Sequence, residues 1–256
     1  MPEDGMAKEK GKAPRLAELC WKEFGELVPA RYDAVVIPIG TVEAHGGIPL
    51  GTDIIIPEYL AERLAGRLNL IIAPTVSYGV TRSLLPYPGS HTVTSATFRQ
   101  YVTEVFVGFG RMGFRKLVVV NGHGGHVDEL REAAQVAYRE AGLFTVVLHW
   151  WLMAPEASEE VYGGEGGHAA AEETAGVLAA RPELVKDVLL AGLKAAKYDK
   201  GVFRMPFPRP VGVREFGKAM PSRDVKMAKE YMTLIEKRCL EAVEEAFAGW
   251  REELGR

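Results

Sequence analysis

From Arg15 onward the chain alternates short apolar runs with segments whose apolar residues recur every three or four positions. In "RLAELCWKEFGELV" Leu16, Leu19, Phe24 and Leu27 fall near one face of a helix, and Pro29 marks its end. The β-branched run "DAVVIPIG" then predicts a first strand, closed by glycine. After a loop, "IIIPEYLAERLAGRL" places Tyr59, Leu60 and Leu64 at helical spacing. The unit repeats. "LIIAPTV" predicts a second strand, "SATFRQYVTEVFVGFGRMGF" a helix, "KLVVVNGHGG" a third strand with its loop, "VDELREAAQVAYREAG" a helix, and "FTVVLHWW" a fourth strand. Strands apolar on both sides, alternating with helices, predict an α/β fold with a mostly parallel central sheet covered on both faces.

Beyond Trp151 the pattern loosens. "MAPEASEEVYGGEGG" reads as loop, and "HAAAEETAGVLAA" starts a helix that ends near Arg181 and Pro182. Four of the 15 prolines crowd into "RMPFPRPVGVREFGKAMPSRD", so residues 200–222 are expected to form an irregular excursion, a lid or a subunit contact. The last segment, "DVKMAKEYMTLIEKRCLEAVEEAFAGWREEL", predicts a long amphipathic helix with Asp224 near its start. Residues 1–14 read as a charged, frayed tail and residues 15–256 as one domain.

Composition narrows the function classes. A formal charge of −3 leaves no basic footprint for nucleic acid. No apolar run approaches the ~18 residues of a membrane span, and the first residues lack the apolar core of a signal peptide. The two cysteines, Cys20 and Cys239, have no CxxC spacing, which suits a reducing compartment, so a cytoplasmic location is expected.

In open α/β sheets, ligands bind outside the carboxyl ends of the strands. The loop after the first strand, "GTVEAHGGIPLGTD", holds Glu43, His45 and Asp53. The loop after the third holds Asn121, His123 and His126, and the segment before a later helix holds His168, Glu172 and Glu173. Taken singly, Asp53 could be a helix N-cap and His123 a partner for a backbone carbonyl. Taken together, carboxylates and imidazoles on adjacent Gly-rich loops suit Zn, Mn or Fe, whereas Ca prefers all-oxygen sites. Glu43 and His45 stand two apart, so on extended backbone they leave the same face. No nucleophile elbow or phosphate-cradling loop competes.

The segments "IPIGTVEAHGG", "PLGTD", "PYPGS", "VNGHGG" and "HAAAEET", in that order from about Val36 to Ala175, resemble the creatininase (creatinine amidohydrolase) family, and its His-Gly-Gly members more than creatininase proper. The resemblance implies a three-layer α/β/α sandwich, a homo-oligomer that is often a hexamer, and metal-dependent hydrolysis of a small amide. It implies two divalent ions per chain (Zn, Mn or Fe), with Glu43, His45, Asp53 and His123 as ligands and Asp53 as the bridge. His168 then matches the acid/base histidine, and Glu173 the glutamate of the family's Glu-Thr pair.

Departures from the pattern bear on substrate. Gly124 and Gly125 stand where creatininases carry a Tyr-Glu pair whose glutamate binds the second metal; Glu173 or His126 could replace it, or that metal could be weak or absent. The first motif is one residue short between His45 and Asp53, and the flap before His168 offers Tyr162 in place of tryptophan. Trp150 and Trp151 either line the pocket or belong to the core. Creatinine is therefore not the expected substrate. One branch of the family resembles deformylases of formylaminopyrimidine nucleotides, for which Arg82, Arg204, Arg209 or Arg214 could hold a phosphate; another resembles peptidases that trim a short peptide. A non-catalytic, metal-stabilised binding protein of the same fold is the alternative outside catalysis.

Overall fold

The computed structural model describes residues 13–162, 167–186, 224–251 and 253. Its strands β1 (Ala34–Ile39), β2 (Ile71–Ile72), β3 (Lys116–Asn121) and β4 (Phe144–His149) form one sheet of order β2-β1-β3-β4, parallel at every pair. The helices are α1 (Trp21–Leu27), α2 (Thr52–Leu68), α3 (Ser95–Arg111), α4 (Val127–Ala141), α5 (Pro155–Tyr162), α6 (Ala171–Ala180) and α7 (Val225–Gly249).

The period of two along each strand divides the apolar residues between two cores. Val36, Val118 and Val120 face the first core, with Ile56, Leu60 and Leu64 of α2, Val177 of α6 and Ile235 of α7. Val35, Ile37, Ile39, Leu117 and Val119 face the second, with Phe98, Val102 and Phe106 of α3 and Leu130 and Ala133 of α4. The result is the three-layer α/β/α sandwich. Burying each of the α2 leucines contributes about 1.5–3 kcal/mol, so packing rather than helix propensity holds that layer. Asp224 caps α7 by accepting the N–H groups of Lys226 and Met227 at 2.8 and 3.2 Å.

Four elements differ from expectation, the first being α5 (Pro155–Tyr162), a helix inside the stretch expected as loop. The helix expected from Arg15 is split into a 3₁₀ turn at Leu16–Glu18 and α1, because Cys20 is extended and Glu23 reaches back to accept its N–H. The second strand pairs only at Ile71–Ile72; Pro74 has no N–H for a ladder, and Val76 rejoins β1 through a single bridge to Ile39. The fourth strand stops at His149, and Trp150–Leu152 turn into a 3₁₀ segment. At the end of the expected tail, residues 13–14 already lie along β2, where Pro14 accepts the N–H of Ile72 at 2.9 Å. Residues 1–12 and the excursion at 200–222, with Arg204, Arg209 and Arg214, lie outside the described residues. No helix among the described residues is long and apolar enough to cross a membrane.

Strand order fixes where a site can form. β1 has β2 on one side and β3 on the other, and the loop after β1 leads to α2 while the loop after β3 leads to α4, on the opposite face. The loops diverge and leave a crevice at the carboxyl ends of β1 and β3.

Candidate metal centre

The loop after β1 is clipped into shape before it presents any chemistry. Gly40 donates to the Val76 carbonyl at 2.8 Å, Glu43 and Leu50 pair through backbone at 3.0 Å, and Gly46 takes the left-handed conformation. The "PYPGS" segment holds it from outside: Ser90 Oγ accepts the Ala44 N–H at 3.0 Å, and His91 donates to the Val42 carbonyl at 2.9 Å. Glu43 and His45 are thereby turned inward and buried.

Asp53 comes from the first turn of α2, which Gly51 precedes as the capping residue. Asp53 is therefore not the N-cap. Pro57, four residues on, lacks the N–H that would bond the Asp53 carbonyl. That carbonyl instead sits against Gly40 and Gly122 at the ends of β1 and β3, where a Cβ would lie 2.1 and 2.0 Å from its oxygen. Two glycines and a proline let the backbone of Asp53 enter the crevice.

The carboxylate of Asp53 divides between two imidazoles. Oδ1 lies 3.0 Å from His45 Nε2, and Oδ2 lies 3.0 Å from His123 Nδ1. Glu43 Oε1 is 3.2 Å from the same His123 nitrogen, and Glu173 Oε2 is 3.7 Å from His45 Nε2. Two triads result, Glu43–Asp53–His123 and His45–Asp53–Glu173, each with one atom per residue close enough to hold an ion; Glu43, His45 and His168 form a third such group.

Each imidazole has its tautomer set by a backbone carbonyl. His45 Nδ1–H donates to Glu43 O at 3.0 Å, His123 Nε2–H to Val80 O at 2.9 Å, and His168 Nε2–H to Ala44 O at 2.6 Å. In each ring the other nitrogen faces carboxylate, the arrangement found around metal-ligating histidines. His45 Nε2 and Asp53 Oδ2 are buried without a hydrogen-bond partner. Buried polar atoms are rarely left so, and a cation beside each would satisfy them. The donor set of nitrogen and oxygen fits a divalent transition metal.

Charge agrees with geometry. Burial lowers the pKa of His45, but the carboxylates of Asp53, Glu173 and Glu43 outweigh it and raise the group to about 10; His123 is raised to about 10 by Asp53 and Glu43 against the same penalty. Burial pushes Glu173 up to about 8, aided by Asp53 and Glu172. Without a cation the cluster holds protons in the cation's place. His168 behaves oppositely: burial, then the charge on His45, whose tilted ring lies with its centroid 4.3 Å away, lowers it to about 4, so it is neutral at pH 7. Its neighbour Ala169 has φ +53°, a strained conformation for a residue with a Cβ. Glu172 and Glu173 reach back to the N–H groups of Gly167 and Ala169, fixing this turn at the start of α6.

The cluster forms the floor of a cavity of about 760 Å³, walled by Val80, Arg82 and Leu84 on one side and Trp151, Leu152 and Tyr231 on the other. A family model, Creatininase (creatinine amidohydrolase), matches residues 17–235. The chain belongs to the creatinine amidohydrolase family. Among curated members, creatinine amidohydrolase of Pseudomonas putida is 28% identical over 193 residues, covering 68% of this chain and 74% of the relative. Mycofactocin precursor peptide peptidase of Mycobacterium ulcerans is 30% identical over 197 residues, covering 71% and 72%. Among solved structures, a creatininase variant of the Zn-Zn type superposes with a TM-score of 0.73 at 28% identity, and creatininase Mn with 0.72 at 27%; both cover 96% of this chain and 100% of theirs.

Within the creatininase fold of this chain, His126 takes no part in either triad. It is buried, stacked on Phe98 with ring centroids 4.2 Å apart, and its Nε2 accepts the Val80 N–H at 3.0 Å. Burial, then the charge on His123, holds its pKa well below the usual value, and Gly79 leaves the space its ring occupies. Of the two residues considered as substitutes for the missing ligand, only Glu173 stands in a group that could hold an ion. Trp150, 1% exposed, belongs to the first core and does not line the cavity, because the 3₁₀ turn after β4 rotates it inward and Trp151 outward. Tyr162 stands behind the wall, its ring 5.5 Å from that of Tyr231. Tyr231 and Thr81 carried no sequence signal: the first reads as one apolar position of an amphipathic helix, and the second donates to Glu43 Oε2 at 2.8 Å from a distant loop.

Proposed function

We propose that this chain hydrolyses the C–N bond of a small amide, with two divalent cations held by Glu43–Asp53–His123 and His45–Asp53–Glu173 and bridged by Asp53. The observation that carries this reading is the split carboxylate of Asp53, one oxygen toward each of two imidazoles whose far nitrogens are already committed to backbone carbonyls. A bound cation pair supplies Lewis acidity and lowers the pKa of water toward neutrality. Zinc and manganese are the leading metals, supported by the mixed donor set and by the Zn-Zn and Mn forms of the creatininase neighbours.

His168 moves the proton. Its Nε2–H is committed to Ala44, so Nδ1, 3.8 Å from Glu43 Oε1 on the cavity floor, is the atom that takes a proton from the attacking water and passes it to the leaving nitrogen. Thr81 and the Val80 carbonyl hold Glu43 and His123 in orientation, so that neither must reorganise during the reaction.

A second reading is peptidase action on a short peptide, favoured by the relationship to the mycofactocin precursor peptidase and by a cavity large enough for several residues. The family resemblance also carries assembly into a homo-oligomer, which sedimentation would measure. The deciding experiment screens creatinine, formylamino compounds and short peptides for hydrolysis, with Mn, Zn and Fe supplied separately and metal content measured in parallel. Metal-dependent cleavage of one class supports the proposal, and full activity in a metal-free preparation would sink it.

A further inference from the structure

The cavity carries one lysine or arginine among its described lining residues, Arg82, and its guanidinium is only partly engaged. The side chain is 51% exposed; Nη1 donates to the Gly125 carbonyl at 3.4 Å and Nη2 to Glu129 Oε1 at 3.2 Å. Glu129 is 6% exposed and also receives the Ser95 hydroxyl, at 2.5 Å, so it is an anchored base for the arginine rather than a mobile counter-charge. A guanidinium has five N–H donors in a planar fork. Two are directed at protein here, which leaves the rest of the fork at the cavity wall.

The charge of the surroundings gives that fork a role. Four carboxylates line the floor, those of Glu43, Asp53, Glu172 and Glu173. Two divalent cations would offset them, and Arg82, its charge shared with Glu129 at one edge, would then present its remaining N–H donors to the space above. Across the cavity, Trp151 and Leu152 offer an apolar surface. The volume lies within the ~300–1,000 Å³ typical of sites for medium-sized organic ligands.

We infer that Arg82 determines specificity by binding an oxyanion, a carboxylate or a phosphate, on an amide substrate whose apolar middle rests against Trp151 while its C–N bond lies over the metal cluster. The inference rests on the hydrolase reading above. Its substrates are acidic amides, which a neutral single-ring amide does not represent.

The test uses metal-loaded protein and calorimetric affinity for two matched pairs of ligands. One pair is an N-acyl dipeptide with a free C-terminal carboxylate and its C-terminal amide; the other is a formylated amine bearing a phosphate monoester and the corresponding alcohol. The acidic member of at least one pair should bind about 10- to 100-fold tighter than its neutral partner, and the pair that discriminates identifies the oxyanion. Arg82→Gln alone would strand buried Glu129, so the double variant Arg82→Gln/Glu129→Gln removes both charges together. It should bring the ratio to within about twofold while neutral affinities and metal content stay unchanged, and Arg82→Lys should keep part of the preference. Equal affinities within both pairs for the parent protein, or a preference that survives in the double variant, would overturn the inference. Failure of the hydrolase reading would appear separately, as absent metal or no cleavage of any amide.

Discussion

His126 holds His123 through the backbone of Val80: the Val80 N–H donates to His126 Nε2 at 3.0 Å, and the Val80 carbonyl accepts from His123 Nε2 at 2.9 Å. His126 also packs edge-on against His123, ring centroids 4.8 Å apart, so it supports the candidate metal site without belonging to either triad. His126→Ala should weaken metal binding about 10- to 100-fold, and His126→Gln, which can still accept from Val80, should recover part of the loss. Competition with a chelator measures both, and an unchanged affinity in folded His126→Ala would exclude the role.

Metal loading should release protons. At pH 8 the metal-free protein keeps His45 and His123 protonated, since both are raised to about 10, and ligation requires their lone pairs. About two protons per chain are expected to leave from the imidazoles, with a further fraction of one from Glu173, which is raised to about 8, counted by calorimetry in buffers of different ionisation enthalpy. The same shifts set the stability of the chelated protein. Folded-state values raised above 6.5 stabilise fully below pH 6.5 and lose that contribution as pH rises toward 10. Chelated protein should therefore melt at lower temperature at pH 9.5 than at pH 7, whereas a flat profile would mean the imidazoles are not held protonated.

The adjacent tryptophans should separate stability from function. Trp150→Ala opens a void in the first core and should cost roughly 3–5 kcal/mol. Trp151→Ala removes a cavity wall and should raise KM while shifting the melting temperature little. Denaturation curves and kinetics of the two variants give the comparison.

His168→Ala should keep its metal and lose about 10²- to 10⁴-fold in kcat. Turnover at the parent rate would move the proton-transfer role elsewhere.

Gly122→Ala brings a methyl group 2.0 Å from the Asp53 carbonyl, a clash with backbone that no rotamer relieves. A loss of about 1–3 kcal/mol in stability is expected, together with a fall in bound metal because Asp53 must retreat. Metal content equal to the parent's would show that the crevice has slack.

Much of this arrangement was legible in the chain because it is written locally. Apolar strands ending in glycine mark the sheet's carboxyl edge, and Glu43, His45, Asp53 and His123 follow those ends directly. His168 and Glu173 stand beside a helix start that is equally visible. What could not be read was set by pairing at a distance. The truncation of β2 depends on which groups of β1 lie opposite Pro74. The fate of His126 depends on Val80, and the inward turn of Trp150 on a bend that its strand-like neighbours conceal.

Asp53 and Glu173 descend from helices against the first core, while His123 leaves β3 toward the helices of the second. A cation seated among them would tie both layers together across residues far apart in the chain, as a covalent cross-link does, and closing such long loops is where a link gains most. The metal would then be a structural staple as well as a reagent, and the cavity above it would keep its shape only while the staple is in place.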